Sequence, residues 1–466
     1  MNQLHSALRL ILVAGFFVGC LLAFYSFEGQ VESEDLASRS QSSVKSTGKT
    51  RKTFDADGRE LELPVITNAT QDLNDEPSVL FNDPAIAQAW GLKKTSAPKA
   101  WAISKGSKDV VVAIIDTGAD VNHEDLKNNI WKNPGETGLD KNGKDKATNG
   151  IDDDNNGYVD DVNGWNFVAN NNDLTDNHGH GTHIAGIIGA EADNGKGISG
   201  ISPNVSLMIL KYFDPKVPNT DNLKNTIKAM RYATQMGAVI INYSGGGTDY
   251  SKEEYEAVKA AEKKGILFVA AAGNEQSNSD TNHYYPADYK LSNIISVTAI
   301  NPSTEVLSSS NWGTETVDIA APGQNITSTL PGNFYGLMTG TSQATAFVSG
   351  AAALIKANKP SFKYSDLKKH ILATGDANPS LLAKTRTSRQ LNLYKCLTVL
   401  DQNVGVSGII ISDSSQVDTT SGSDPNNQPL GSSVKEMNQF GRGLQKLLKN
   451  AGKERLGNDP NSKGSN

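Results

Sequence analysis

Apolar residues recur along this chain with two different rhythms. Asp109 to Asp116, Val205 to Phe213, Gly237 to Ser244, Gly265 to Asn274 and Asn293 to Ile300 are short runs of Val, Ile, Leu and Ala with few polar breaks. Runs of that kind read as strands buried on both faces of a parallel sheet. Between them the period lengthens to that of a helix. Leu223, Ile227 and Met230 mark one apolar face, and Ser251-Lys252-Glu253-Glu254 reads as a capping box opening a helix that ends at Gly265. Strands alternating with helices predict an α/β fold: a doubly wound, mostly parallel sheet with helices on both faces. Ligands of such sheets bind outside the carboxyl ends of the strands, where Asp116 and Asn274 fall.

The βα pattern occupies residues 82–400. Ahead of it, Leu10 to Phe27 is an apolar run of 18 residues, preceded by Arg9 and followed by Glu28. A run of that length reaches across a bilayer and exceeds the usual signal-peptide core. Residues 1–28 therefore read as a signal peptide or, slightly favoured, an uncleaved anchor that puts the rest of the chain outside. Gly19-Cys20 hints at a lipidation site, but Phe17 stands where leucine is usual and apolar residues continue past the cysteine. Residues 29–81 are polar, with little periodicity, and read as a linker. Residues 401–466 turn to Gly, Ser, Asp, Asn and Thr, the composition of a flexible tail. Within it Val434, Met437, Phe440, Leu444, Leu447 and Leu448 mark a candidate short amphipathic helix that Gly441 and Gly443 weaken.

Composition narrows the classes. A formal net charge of -7 argues against a general nucleic-acid binder and suits bound divalent cations. The only cysteines are Cys20, in the apolar run, and Cys396, so no disulfide staples the predicted domain internally. Its stability must come from packing, to which a bound metal can add. Nothing in the sequence indicates an oligomeric state.

Candidate chemistry lies in three segments: Asp116-Thr117-Gly118, His180-Gly181-Thr182-His183 and Gly340-Thr341-Ser342-Gln343-Ala344. A serine hydroxyl is a weak nucleophile at neutral pH. It needs an imidazole to take its proton and a carboxylate to hold that imidazole in the correct tautomer. Asp116, His180 and Ser342 can fill those roles. Ser342 is followed by Ala344, Phe347, Val348, Ala351, Leu354 and Ile355, the spacing of a buried helix. The amino end of such a helix carries partial positive charge that favours an oxyanion. His180 likewise opens a helical run in which Gly181, Ala185 and Gly186 allow close packing. Two other chemistries fit parts of this set. An apolar strand ending in Asp-Thr-Gly also marks aspartic proteases, but no second copy is present to share a proton. His178, His180 and His183 offer zinc ligands, yet HEXXH is absent and the intervening residues are glycine and threonine.

The order Asp, His, Ser is that of subtilisin. With VVVAIIDTGAD, HGHGTHIAG, AAAGNE and GTSQATAFVSG included, the chain resembles the subtilisin-like serine proteases, or subtilases, from about Asn82 to about Leu397. The resemblance implies a subtilisin-like fold and a serine endopeptidase that cleaves peptide or protein substrates through an acyl-enzyme. It gives Asn274 the role of side-chain donor to the oxyanion, beside the backbone N–H of Ser342. It also implies an extended substrate pairing at Ser244, Gly245 and Gly246. Those residues, Ala271 to Gly273 with Ala272 and Gly273 at the site, and Tyr285-Pro286-Ala287 then wall the pocket for the side chain before the scissile bond. Small walls with no evident fixed charge predict tolerance for apolar side chains. In the family an inhibitory propeptide often precedes the catalytic domain, and residues 29–81, short for one, then read as a linker or a reduced propeptide. Gln343, Ala346 and Phe347 depart from the family's methionine, proline and histidine. These departures favour an alternative of another class, a binding protein on an inactive scaffold. Intact Asp116, His180, Ser342 and Asn274 argue against it.

Asp152, Asp154, Asn156, Gly157 and Asp160 occupy the first, third, fifth, sixth and ninth places of a calcium-loop pattern. Asn163 stands where a bidentate glutamate belongs, so this is no EF-hand. Many subtilases carry a similar insertion followed by a GWNF run, as in Gly164 to Phe167. The expectation is a structural Ca2+ held by Asp152, Asp154, Asn156 and Asp160.

Overall fold

The structure, a computed structural model, describes residues 80–399 and, ahead of them, the backbone of two strands. The N-terminal apolar run with Cys20 and the tail with its candidate helix lie outside the described residues. The two strands, β1 (Thr50–Phe54) and β2 (Glu60–Pro64), pair antiparallel in a stretch where the sequence predicts no regular element.

Two short helices, α1 (Trp90–Lys94) and α2 (Ala97–Trp101), lead into β3 (Gly106–Asp116). Then come β4 (Gly164–Asn166), α3 (His180–Gly189), β5 (Asn204–Lys211), α4 (Asn222–Gln235), β6 (Ile240–Tyr243), α5 (Lys252–Lys263), β7 (Leu267–Ala271) and β8 (Ile294–Ile300). The described residues close with β9 (Ile319–Pro322), a hairpin of β10 (Ile326–Leu330) and β11 (Phe334–Met338), α6 (Thr341–Asn358), α7 (Tyr364–Thr374), β12 (Asp376–Ala377), β13 (Arg389–Gln390) and α8 (Leu393–Thr398). Nine strands form one sheet in the order β12-β13-β9-β8-β7-β6-β3-β5-β4, parallel except for the β12–β13 pair at its edge. Every apolar run listed from the sequence supplies one of its central strands.

Side chains along β3 explain why the sheet is covered on both faces. Val112 and Ile114 join one core with Ile184 and Ile188 of α3 and Val348 and Leu354 of α6. Ala113 and Ile115 point the other way, into a core with Ile227 and Met230 of α4 and Val258 and Ala261 of α5. Each Val, Leu, Ile or Met among them contributes about 1.5–3 kcal/mol when fully buried. Cys396 is a buried free thiol, in keeping with a domain without an internal disulfide. Among the described residues, no helix is long and apolar enough to cross a membrane.

The cap of α5 differs from the sequence expectation. Ser251 Oγ accepts the Glu254 N–H at 3.2 Å, but the return bond is made by another residue. The Ser251 N–H donates to Tyr289 Oη at 3.2 Å, and that hydroxyl lies 2.8 Å from Glu254 Oε2. A tyrosine from a distant loop thus completes the cap, leaving the Glu254 carboxyl buried.

β3 pairs with β5 on one side and β6 on the other, so the connection reverses direction across its carboxyl end. That switch point opens a crevice, and Asp116 is its last strand residue.

Candidate active site

Asp116 closes β3 and His180 opens α3, and the two side chains meet. His180 Nδ1 donates to Asp116 Oδ1 at 2.7 Å, with the imidazole 22% exposed and the carboxylate 4%. The approach depends on Gly181, because a Cβ there would lie 3.2 Å from Asp116 Cβ and closer still to the Gly118 carbonyl. Since the carboxylate fixes the proton on Nδ1, Nε2 is left as the basic nitrogen.

The group that holds this arrangement, Asp176, is not among the sequence candidates. Asp176, buried, accepts Thr117 Oγ1 at 2.8 Å and the Gly179 N–H at 2.8 Å through Oδ1. Its Oδ2 accepts the Thr182 N–H at 2.9 Å and Thr182 Oγ1 at 2.7 Å. Thr117 Oγ1 in turn accepts the Gly181 N–H at 2.9 Å. Asp176 therefore caps α3 from outside the helix, where the N-cap residue Gly179 has no side chain to do so. A carboxylate four residues before the helix start was the available signal. Burial works to lower the His180 pKa, but the charge and hydrogen bond of Asp116, with the charge of Asp176, outweigh it and hold the imidazole above the ordinary histidine value.

Ser342 is the second residue of α6, at the amino end of its 18 residues, and is buried. Its Oγ donates to the Ser244 carbonyl at 3.1 Å. Asn274 follows β7, and its Oδ1 accepts the Thr341 N–H at 3.0 Å and Thr341 Oγ1 at 3.2 Å. That leaves the amide Nδ2 of an exposed residue turned out beside the start of α6. The geometry thus joins Asp116 to His180, Ser342 to Ser244, and Asn274 to the residue before Ser342.

The other two chemistries find no support here. Asp116 faces an imidazole rather than a second carboxylate. His183 Nε2 donates to the Ile326 and Gly336 carbonyls at 2.9 and 3.2 Å, so it fastens α3 to the β10–β11 hairpin. Burial, with the neighbouring His180, pushes its pKa down to about 3. Among the described residues, no candidate metal cluster includes a histidine.

Ser244, Gly245 and Gly246 run past the end of β6, and Ala272 and Gly273 past the end of β7. The next residue after Gly246 is tied down: the Gly247 N–H and carbonyl pair with Tyr285 at 2.9 and 2.7 Å. The surroundings of Gly273 are neither small nor uncharged. The Glu275 carboxylate and the Tyr284 ring both stand off the α-carbon of Gly273.

In the acidic loop, oxygens of Asp152, Asp154 and buried Glu136 lie within 4.8 Å of one another. Asp160 is not brought to this group. Its backbone takes a positive φ of 52°, and both carboxylate oxygens turn back to accept the Gly150 N–H at 3.1 and 3.2 Å. Asn156 Oδ1 accepts the Tyr158 N–H at 2.7 Å and its Nδ2 donates to Asp161 Oδ2 at 2.8 Å. Glu136, unforeseen in the sequence, sends Oε1 to the Asp153 N–H at 2.7 Å, while its buried Oε2 has no hydrogen-bond partner.

Comparison with known proteins agrees with this architecture. The sequence profile of the subtilase family matches residues 107–394, and the chain belongs to that family. It is a subtilisin-like serine protease. The chain is 37% identical over 297 residues to the major intracellular serine protease of Bacillus subtilis, covering 63% of this chain and 79% of that one. It is 34% identical to thermitase of Thermoactinomyces vulgaris, covering 59% of this chain and 84% of the relative. A solved protease from Pseudoalteromonas arctica superimposes with a TM-score of 0.55 at 23% identity, over 68% of this chain and 99% of that one, and shares the fold.

Proposed function

We propose that the chain is an endopeptidase in which Ser342 attacks the scissile carbonyl, His180 takes its proton, and Asp116 holds and stabilises the imidazole. The observation that carries this reading is the 2.7 Å bond from His180 Nδ1 to Asp116 Oδ1, with His180 opening a helix that packs against the one whose second residue is Ser342. In this reading the Ser342 hydroxyl leaves the Ser244 carbonyl and gives its proton to His180 Nε2. Attack then forms the acyl-enzyme and expels the amine, to which the imidazolium returns the proton; water repeats the sequence and frees the acid. The Asn274 amide and the Ser342 N–H stabilise the oxyanion, reinforced by the positive end of α6. An extended peptide lies along Ser244 to Gly246, whose glycines admit a close backbone. Fluorophosphonate is expected to label the wild type at Ser342 and to spare Ser342→Ala. An unlabelled wild type would overturn the assignment, and inhibition by pepstatin would favour the aspartic alternative.

A structural cation is a second part of the reading. Glu136, Asp152 and Asp154 form a hard-oxygen donor set suited to Ca2+, and the unpartnered buried Glu136 Oε2 supports it. When bound, the ion would neutralise three crowded carboxylates and stabilise the fold. Asn156 orders the loop around them. Export, with an N-terminal anchor, is supported by Arg9 and the apolar run from Leu10 to Phe27.

A further inference from the structure

Between the two glycine-bearing walls of the pocket, the chain supplies its own aromatic ring. A Cβ added to Gly246 would stand 2.9 Å from Tyr284 Cζ, with Cε1 closer still. One added to Gly273 would stand 3.0 Å from Tyr284 Cδ2. Cε1 and Cδ2 lie diagonally opposite on the same six-membered ring, so one phenyl plane fills the gap from wall to wall. Glu275 occupies the space beside it, with Oε2 held by Asn311 Nδ2 at 2.6 Å.

The ring is carried by a fixed backbone. The Tyr284 N–H donates to Asp288 Oδ2 at 2.8 Å, and its carbonyl accepts the Asp288 N–H at 3.0 Å. Tyr285, next in the chain, is paired with Gly247 in both directions. Tyr284 itself is only partly exposed. A large substrate side chain entering from above would meet this ring and a carboxylate rather than an open apolar slot.

We infer that Tyr284 sets the side-chain preference of the enzyme by filling this pocket, so that cleavage follows glycine, alanine or serine and is poor after leucine or phenylalanine. This rests on the serine-endopeptidase reading above and replaces the expectation of a pocket tolerant of apolar side chains. A close-packed interior gives way at a cost when extra methylenes are forced in. A single misfitting methylene changes kcat/KM by roughly tenfold or more.

Peptide anilides that differ only in the residue whose carbonyl is attacked test the inference. For the wild-type full chain, kcat/KM after alanine is expected to exceed that after phenylalanine by about tenfold or more. Tyr284→Ala is expected to shift the ratio toward leucine and phenylalanine by a similar factor, and Tyr284→Phe, which keeps the ring, to leave it near the wild-type value. Wild-type cleavage after phenylalanine as fast as after alanine would overturn the inference. An unchanged ratio in a Tyr284→Ala protein that still takes up diisopropyl fluorophosphate would do so too. If Tyr284→Ala does not fold, the wild-type and Tyr284→Phe profiles decide. A wild type that neither cleaves these peptides nor takes up the label would defeat the serine-endopeptidase reading instead.

Discussion

The side-chain carbonyl of Asn274 accepts the backbone N–H of Thr341 at 3.0 Å, and this one bond decides which way the amide faces. An N–H can only donate, so Oδ1 is the atom bonded to Thr341 and Nδ2 is the atom left to donate elsewhere. Asn274→Ala is expected to lower kcat by about 10²-fold or more, a magnitude taken from the same substitution class in subtilisin. Asn274→Asp discriminates further. It keeps an acceptor for Thr341 but has no N–H to offer, so it is expected to lose turnover like the alanine variant. Steady-state kinetics and a thermal melt of both proteins make the check, and full turnover in either folded variant would remove Asn274 from the oxyanion site.

The two carboxylates around His180 predict a pH signature. Its pKa is held above the ordinary value of 6.5, so the imidazole stays protonated, and unable to act as base, until the pH has climbed past that point. The acid limb of kcat/KM is therefore expected to have its midpoint above 6.5. Asp176→Asn removes one negative charge without touching the reacting atoms, so the midpoint is expected to move toward acid, with activity persisting to lower pH. Asp116→Asn removes the partner itself and favours the wrong tautomer; about 10⁴-fold of kcat is lost in the equivalent chymotrypsin-fold variant. An acid limb unmoved by Asp176→Asn would show that Asp176 only caps the helix.

What the sequence made legible, and what it hid, follows from the range of the interactions. Asp116, His180 and Ser342 stand at the ends of a strand and two helices, and such ends are visible in hydrophobic periodicity. Their flanking glycines then mark the close approaches, as at Gly181. Asp176, Glu136, Tyr284 and Tyr289 act through contacts that no periodicity announces. Tyr289 reaches a helix start 38 residues away, and Glu136 meets a loop 17 residues on. The acidic loop shows the same limit from the other side. Spacing put Asp160 among the ligands, but a left-handed backbone at that residue turns its carboxylate to Gly150.

The cation reading makes Glu136, rather than Asp160, the residue to change. In Ser342→Ala protein, where self-digestion is blocked, chelation is expected to lower the melting temperature by several degrees and added Ca2+ to restore it. Saturation at 100 times the dissociation constant adds about 2.7 kcal/mol. Glu136→Gln is expected to lose most of this response while Asp160→Asn retains it. A melting temperature indifferent to chelator would reject the site, and a response abolished by Asp160→Asn alone would restore the original ligand set.

Glu254 predicts a different dependence, of stability on pH. Burial pushes its carboxyl up from 4.5 to about 7, against the opposing hydrogen bond from Tyr289. Because the folded pKa is the higher one, the fold favours the protonated acid. The stability gained in this way is complete below pH 4.5 and is lost as the pH rises through about 7. The displacement corresponds to at most about 3 kcal/mol. Glu254→Gln keeps the shape and an acceptor for the Tyr289 hydroxyl but never ionises, and the α5 cap survives because Ser251 is bonded to the backbone N–H. In the Ser342→Ala background, the variant is expected to melt higher than its parent at pH 8 and to lose that advantage at pH 5. Equal differences at the two pH values would mean that Glu254 is ionised in the folded protein at both.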